Sequence, residues 1–206
     1  MKLSKSGLAI ELSKLKAFED PSAKQEQYPT DSEIAAEVLW QAKMLGDVDD
    51  KKISDLGAGT GILGIGALLL GAEECIFVEK DADAVKICKE NIEGYDINAE
   101  VIQGDINDLN EKCDVIIMNP PFGTKKEHAD KRFLEQAFRT ADIIYSFHKT
   151  STEKFVKAIA KDHGFDVTNR WDFSFPLKKT HKFHKRKIHR IEVSCFRMQR
   201  MQGKHL

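Results

Sequence analysis

Short apolar segments alternate with longer amphipathic ones along the middle of the chain, and this alternation restricts the fold more than any other feature. The segments with strand character are 52–56, 75–79, 99–102, 113–118 and 143–147. Helical patterns follow at 62–70, 81–93, 131–141 and 151–163. Strands and helices that alternate in this way form βαβ units, in which parallel strands share one sheet. The pattern therefore predicts a doubly wound α/β fold.

The two ends of the chain have different patterns. Two helical patterns, at 8–18 and 31–45, precede the first strand. Near the other end, 165–175 and 188–198 are rich in Val, Ile and Phe with no helix between them, so they should pair antiparallel. A length of 206 residues suits one domain. We predict a single domain over 1–206, made of N-terminal helices with a segment that covers the cofactor (1–50), a βαβ core (51–163) and a C-terminal hairpin with a basic loop (164–206).

The distribution of apolar residues and cysteines predicts a cytoplasmic protein without a membrane span. No apolar run approaches the roughly 20 residues that cross a bilayer, and the N-terminal lysines alternate with apolar residues instead of preceding an apolar block. The cysteines show no C-x-x-C spacing, which favours reduced core residues over a metal or redox site. They are Cys75, Cys88, Cys113 and Cys195.

A glycine-rich stretch, Asp55-Leu-Gly-Ala-Gly-Thr-Gly61, follows the first predicted strand and opens a helix. Backbone N–H groups there bind a polar ligand, because side chains would block its approach. Asp55 suits a ligand that carries an ammonium and a sulfonium, and the alternative is a helix N-cap or a carboxylate that orders the loop. Glu79 ends the second strand, where an acidic side chain accepts hydrogen bonds from both ribose hydroxyls. Nicotinamide cofactors use the same loop and spacing, so that alternative stays open.

Asp105 and Ile106 follow the third predicted strand. The carboxylate of Asp105 is placed to accept from the adenine amino group of a cofactor, with Ile106 packing nearby. The alternative is a solvated loop carboxylate. The other predicted site residues are what support a cofactor role for Asp105.

The stretch D-V-I-I-M-N-P-P-F-G at 114–123 carries most of the functional information. A buried strand ends just before Asn119, and Pro120 and Pro121 fix the backbone that follows. The Asn119 side chain and the Pro120 carbonyl then form two acceptors that hold an exocyclic amino group facing a methyl donor. Phe122 is predicted to stack on the base, a contact worth roughly 1–3 kcal/mol. The alternative is a proline-stiffened turn with Phe122 buried in the core.

These residues resemble class I methyltransferases of the amino-methylating type, in which N-P-P-[aromatic] serves adenine, guanine and glutamine amino groups. A narrower similarity is to the archaeal and eukaryotic small-subunit ribosomal RNA adenine-N6 methyltransferase family. Four stretches carry it in the family's order: Q-E-Q-Y-P-T at 25–30, N-P-P-F-G-T-K at 119–125, Y-S-F-H-K-T-S-T at 145–152 and K-F-H-K at 182–185.

The resemblance implies a Rossmann-like seven-stranded sheet with an antiparallel last strand, and S-adenosyl-L-methionine as the methyl donor. Carried over by position, the cofactor contacts are Gln27, Thr30, Gly57, Thr60, Ile62, Glu79, Asp105 and Ile106. Family members often have Asp where Glu79 stands. The glycine-rich stretch itself adds Asp55 and Gly59, and the predicted catalytic residues are Asn119, Pro120, Pro121 and Phe122. Eukaryotic members work with a small zinc-containing activator protein, and the resemblance implies a similar partner here.

A basic segment between the last two predicted strands indicates nucleic-acid binding. Residues 173–191 contain no acidic residue, although the whole chain has a net charge of −1. Such a local positive field binds phosphates with little sequence preference. The predicted RNA contacts are Lys182, Lys185, Arg186 and Lys187, together with Lys149 after the fifth strand. A solvated basic loop is the alternative, and the nearby histidines lack the cysteine or carboxylate that would complete a metal site.

Taken together, these features predict an S-adenosylmethionine-dependent enzyme of rRNA processing that methylates the N6 amino group of an adenine in structured RNA. The same motif also fits an amino-methyltransferase acting on DNA adenine, tRNA guanine or protein glutamine. Two other classes remain open: a nicotinamide oxidoreductase, which does not explain N-P-P-F, and a non-catalytic RNA-binding protein on the same fold.

Overall fold

The computed structural model describes residues 3–17, 30–122, 129–177 and 189–202. In chain order they form α1 (Lys5–Ser13), α2 (Ser32–Met44), β1 (Lys52–Leu56), α3 (Ile62–Leu70), β2 (Glu74–Glu79), α4 (Ala82–Ile92), β3 (Ala99–Gln103), β4 (Val115–Met118), α5 (Ala129–Thr140), β5 (Ile143–Lys149), α6 (Glu153–Asp162), β6 (Phe165–Leu177) and β7 (His189–Arg200). Single 3-10 turns lie at Ile106–Asp108 and Thr150–Thr152. Among the helices described, none is long and apolar enough to span a membrane.

The seven strands form one sheet in the order β3-β2-β1-β4-β5-β7-β6. Strands β1 to β5 are parallel, and β7 runs antiparallel to both of its neighbours, β5 and β6. This confirms the predicted α/β class and the antiparallel last strand. The strand order reverses between β1 and β4, and ligands of open α/β sheets bind beyond the carboxyl ends of the strands at such a point. The glycine-rich stretch after β1 and the N-P-P-F stretch after β4 both lie there.

Helices cover both faces of the sheet and divide the core in two. Phe77 and Ile117 point toward α2 and α3, whereas Val78 and Met118 point toward the side covered by α5 and α6. Strands buried on both faces are continuous apolar runs instead of alternating ones, which is why β4 consists of four buried residues. The division of the chain into the three predicted parts remains a prediction.

Helix α1 begins earlier and ends earlier than the pattern at 8–18 predicts. It starts at Lys5 because Ser4 caps it, its side chain accepting a hydrogen bond from the Gly7 amide at 3.1 Å. It ends at Ser13, after which the chain turns and Lys16 contacts α4. The apolar pattern that starts at Leu8 indicates the buried face of this helix, but it does not indicate where the helix begins.

A buried ion pair ties the C-terminal hairpin to the rest of the sheet. Arg197 of β7 donates to Asp47 through Nε at 2.7 Å, and the Tyr145 hydroxyl donates to the same carboxylate at 2.6 Å. All three side chains are buried, and burial, together with the Asp47 bond and charge, raises the pKa of Tyr145 well above its ordinary value. Asp47 lies in the connection to the amino end of β1, so this network is at the edge of the sheet opposite the glycine-rich loop.

Candidate active site

The glycine-rich loop between β1 and α3 is held by backbone hydrogen bonds. The amides of Gly57 and Ala58 both donate to the Val78 carbonyl, at 2.8 and 3.1 Å. Gly57, Gly59 and Gly61 have φ values of +70°, +56° and +88°, which favour glycine. A Cβ on Gly57 would lie 2.8 Å from the ring of Phe133. The positive φ values and this close approach explain why glycines occupy these positions, and contact of the loop with a ligand remains a prediction.

Asp55 lies beneath the loop and not on its surface. Its side chain is 1% exposed and accepts a hydrogen bond from the Gly64 amide in the first turn of α3, at 2.9 Å. Burial raises the pKa of this carboxyl to about 7, and the hydrogen bond from Gly64 opposes that rise. Gly61 is the N-cap of α3, so the observed contact fits the alternative of a carboxylate that orders the loop and the helix start, and contact with a ligand remains a prediction.

The raised pKa of Asp55 predicts a specific pH dependence of stability. Between about pH 4, where an unfolded Asp ionises, and pH 7, the folded carboxyl keeps a proton that the unfolded chain has released. Stability therefore falls as pH rises through this window, by up to about 1.4 kcal/mol per pH unit. The Asp55→Asn variant keeps an acceptor for Gly64 and loses the titration. Urea unfolding at pH 5 and pH 7.5 should show a smaller decline in the variant, and equal declines would contradict this assignment.

Glu79 holds the loop against the end of β2. Its Oε2 accepts from the Gly59 amide, and its Oε1 accepts from the amides of Lys80 and Asp81, each at 2.9 Å. A carboxylate has about four lone-pair positions, so these three bonds leave about one for a further donor. The predicted ribose contact therefore fits one hydroxyl more readily than the two that the sequence suggests.

Asp105 caps the 3-10 turn that follows β3. One of its oxygens accepts from the Asn107 amide at 3.2 Å, and Arg132 of α5 donates to both oxygens, at 3.1 and 3.3 Å. The Asn107 bond is the main reason that the pKa of Asp105 is below its ordinary value, and the Arg132 charge lowers it further. The side chain of Ile106 is buried beside it. Arg132 orders the carboxylate, and no local pattern in the sequence predicts this contact.

Asn119 follows β4 and faces the N-terminal part of the chain. Its Nδ2 donates to Thr30 Oγ1 at 3.0 Å, and Thr30 is buried just before α2. This bond orients the amide of the predicted catalytic Asn, and it brings a predicted cofactor residue next to a predicted target residue. The sequence could not show the pair, because the two residues are far apart along the chain.

Phe122 is buried. It is 8% exposed and packs edge-on against Phe175 of β6, with ring centroids 6.5 Å apart. Pro120 is also buried and Pro121 is partly exposed. This arrangement agrees with the core alternative considered for Phe122, and stacking on a base, which needs a free ring face, remains a prediction.

The carboxyl end of β5 lies next to this motif. Ser146 pairs in register with Met118, and its hydroxyl lies 2.7 Å from Nε2 of His148, which is 2% exposed. Nδ1 of His148 lies 3.8 Å from a carboxylate oxygen of Asp130 at the start of α5, and the proximity of this histidine is the main cause of the lowered pKa of Asp130. His148 therefore lies between β5 and the start of α5. Lys149, a predicted RNA contact, is partly exposed at the end of the strand.

The structure brings most of the predicted site residues to one edge of the sheet. Around the glycine-rich loop lie Asp55, Gly57, Gly59, Thr60, Ile62 and Glu79, and beside it lie Thr30, Asn119, Pro120, Pro121 and Phe122. Gln27, Lys182, Lys185, Arg186 and Lys187 lie outside the described residues. Within the described part of the chain, no group of three or more His, Cys, Asp or Glu residues could hold a metal ion.

Comparisons with known proteins agree on the family. Residues 31–142 match the family described as the Methyltransferase small domain. The chain is 36% identical to the rRNA N(6)-adenosine-methyltransferase of Danio rerio over 194 residues, which cover 90% of this chain and 94% of that protein. It is 42% identical, with a TM-score of 0.87, to a crystal structure from Pyrococcus horikoshii described as a candidate RNA methyltransferase, and the match covers 96% and 98% of the two chains.

The fold also occurs in more distant methyltransferases. The magnesium protoporphyrin IX methyltransferase of Synechocystis, solved with bound SAM, shares it with a TM-score of 0.62 and 15% identity, over 81% of this chain and 78% of that one. At this identity the similarity concerns the fold alone.

Proposed function

The chain belongs to the methyltransferase small-domain family, and we propose that it transfers a methyl group from S-adenosyl-L-methionine to the N6 amino group of an adenine in small-subunit ribosomal RNA. The observation that carries this proposal is the position of Asn119, anchored on Thr30 beside the glycine-rich loop at the point where the strand order reverses. The Danio rerio relative, whose name states this reaction class on rRNA, is similar over nearly its whole length.

The loop is suited to the methyl donor. Its glycines have positive φ values that other residues rarely adopt, and Glu79 at the end of β2 keeps about one lone-pair position for a ribose hydroxyl. Asp105, ordered by Arg132, would accept from the adenine amino group, with Ile106 against the ring. When bound, S-adenosyl-L-methionine supplies an electrophilic methyl group on a sulfonium.

Asn119 and Pro120 act on the target amino group. The Asn119 side-chain oxygen and the Pro120 carbonyl accept its two hydrogens, which holds the nitrogen toward the donor and favours the tetrahedral geometry that it adopts during attack. A nitrogen that has gained a methyl group is cationic and releases its proton readily, so this reaction needs no strong general base. If the adenine lies in a duplex, flipping it out costs a few kcal/mol, which contacts to the amino group and stacking offset.

Two measurements test this proposal. Thermal shift with S-adenosylhomocysteine and with NAD separates a methyltransferase from a nicotinamide oxidoreductase, and we expect stabilisation by the former alone. Nucleoside analysis of ribosomal RNA from cells with and without the gene should show loss of one N6-methyladenosine from the small subunit. An unchanged rRNA profile would direct attention to the alternative targets, DNA adenine, tRNA guanine and protein glutamine.

The basic segment gives a further prediction, about RNA affinity. If Lys182, Lys185, Arg186 and Lys187 contact phosphates, changing all four to Ala should weaken RNA binding and reduce its salt dependence, because the slope of log K against log salt scales with the phosphates neutralised. We would measure binding across a salt series, with S-adenosylhomocysteine affinity as the control for folding. Wild-type affinity and slope would indicate a solvated loop, with RNA contacts to be sought near Lys149.

We also propose that the protein is cytoplasmic and works with a small zinc-containing activator protein, as the family resemblance implies. The buried, unpaired state of Cys75, Cys88, Cys113 and Cys195 is compatible with a reducing compartment. Co-expression with such a zinc protein from the same cells should yield a stable complex with one protein-bound zinc contributed by the partner. Independent elution of the two chains would contradict the partnership.

A further inference from the structure

Asn91 is a buried amide on the face of α4 that packs against the core. It lies in the last turn of the helix and is 5% exposed. Its Oδ1 accepts from the Lys16 amide at 2.8 Å, and its Nδ2 donates to the carbonyls of Lys16 and Thr60, at 3.0 and 2.9 Å. Buried polar groups require such partners, but apolar packing alone would place an apolar residue here.

The Thr60 carbonyl belongs to the peptide unit that ends the glycine-rich loop. The N–H of the same peptide unit, on Gly61, donates to the Ala58 carbonyl at 2.8 Å. Both polar groups of this peptide are therefore hydrogen-bonded: the Thr60 carbonyl accepts from Asn91 of α4, and the Gly61 N–H donates within the loop. A loop already fixed in its binding conformation pays less ordering entropy when the ligand arrives.

Lys16 is the other end of this connection. Both of its backbone polar groups pair with the Asn91 amide, whereas its ammonium pairs with Glu90 on the surface at 2.8 Å. An exposed ion pair contributes little to stability, so the buried Asn91 amide is the stronger of the two polar contacts that Lys16 makes with α4. One side chain thus connects that N-terminal segment to the glycine-rich loop.

We propose that Asn91 is a positioning residue for the methyl donor. By holding the Thr60 carbonyl it keeps the glycine-rich loop in its binding conformation, and by pairing with Lys16 it makes that conformation depend on docking of the N-terminal segment. The inference rests on the proposed function, because it takes this loop as the S-adenosyl-L-methionine site.

Two variants of Asn91 test the inference. Asn91→Asp is nearly isosteric, but it replaces the two N–H donors with an oxygen that faces two carbonyls, and Asn91→Ala removes all three bonds. We expect both to weaken S-adenosylhomocysteine binding about tenfold, the value of one hydrogen bond that fixes the loop. The KM for the methyl donor should rise in parallel, with kcat at saturating donor and the KM for RNA near wild type.

Tyr145→Phe is the matched control, because it removes one buried hydrogen bond, to Asp47, at the opposite edge of the sheet. It should lower the melting temperature and leave the dissociation constant of S-adenosylhomocysteine unchanged. If the Asn91 variants behave in the same way, Asn91 is a structural residue and the inference is wrong. If wild type itself does not bind S-adenosylhomocysteine, the proposed function fails as well.

A measurement on the wild-type protein keeps the inference testable if the Asn91 variants do not fold. Coupling between two sites is reciprocal, so a ligand that needs the Thr60 peptide fixed must also strengthen the pairing of Asn91 with Lys16. Amide hydrogen exchange at Lys16 should slow several-fold when S-adenosylhomocysteine binds. Equal exchange rates with and without the ligand would overturn the coupling.

Discussion

Replacing Asn119 with alanine is expected to lower methyl transfer by about 10³-fold, the range seen when one preorganised polar group at a reacting centre is removed. The side chain is held by Thr30, and the contact that it loses is to the target amino group and not to the methyl donor. Affinity for S-adenosylhomocysteine should therefore stay within a few-fold of wild type. Single-turnover rates with RNA and titration with S-adenosylhomocysteine measure the two quantities.

Asn98→Ala is a suitable control, since Asn98 is an exposed residue just before the amino end of β3, where its side chain donates to the Glu73 carbonyl at 3.3 Å. It should leave both quantities unchanged. A second variant, Thr30→Val, removes the hydroxyl that orients Asn119 and should reduce turnover by a smaller factor than Asn119→Ala. Wild-type methyl transfer by the Asn119 variant would end the mechanism proposed here.

The sequence predicted elements best where local signals mark both ends. Helix α3 has the predicted bounds because Gly61 and Gly71 flank it, both with positive φ. Helix α2 begins close to the predicted start at 31, where the Asp31 side chain caps it by accepting from the amide of Glu33 at 2.9 Å. The predicted bounds of helix α1 are wrong because its apolar pattern starts at Leu8, inside the helix, whereas the cap, Ser4, precedes that pattern.

The predicted site residues at strand ends came together because parallel strands place their carboxyl ends at one edge. This geometry follows from topology alone, so the location of Glu79 and Asn119 could be predicted without knowing their contacts. The hydrogen-bond partners that lie far away along the chain could not be predicted. Arg132 on Asp105 and Asn91 on Thr60 are joined only by tertiary packing, and no local pattern in the sequence predicts either pair.

The sequence also could not predict whether the side chains of the predicted site residues are buried. A carboxylate before a glycine-rich loop has the same sequence pattern whether it faces a ligand or binds the first turn of the next helix, and the sequence could not show that Asp55 accepts from Gly64. The aromatic residue of N-P-P-F is equally ambiguous. Its packing against Phe175 depends on β6, a strand far along the chain.

Removing the Glu79 carboxylate is expected to weaken binding of S-adenosyl-L-methionine by about 100-fold, on the order of 1.5–3 kcal/mol. Two losses combine in Glu79→Ala: the charge-assisted hydrogen bond to a ribose hydroxyl, and the bond that holds the Gly59 amide of the loop at 2.9 Å. Isothermal titration with S-adenosyl-L-methionine measures the change. Turnover at saturating donor should fall much less, because Asn119 and Pro120 are unaffected.

The Glu79→Asp variant is a conservative test of these two losses. Members of the family that the sequence resembles often carry Asp at this position. The shorter carboxylate keeps the charge, so we expect affinity within several-fold of wild type, whereas Glu79→Gln should resemble alanine. An amide cannot accept from Gly59, Lys80 and Asp81 with both of its terminal atoms, because its nitrogen only donates. If all three variants bind S-adenosyl-L-methionine as wild type does, Glu79 serves only to order the end of β2, and the ribose must be held by other groups at this edge of the sheet.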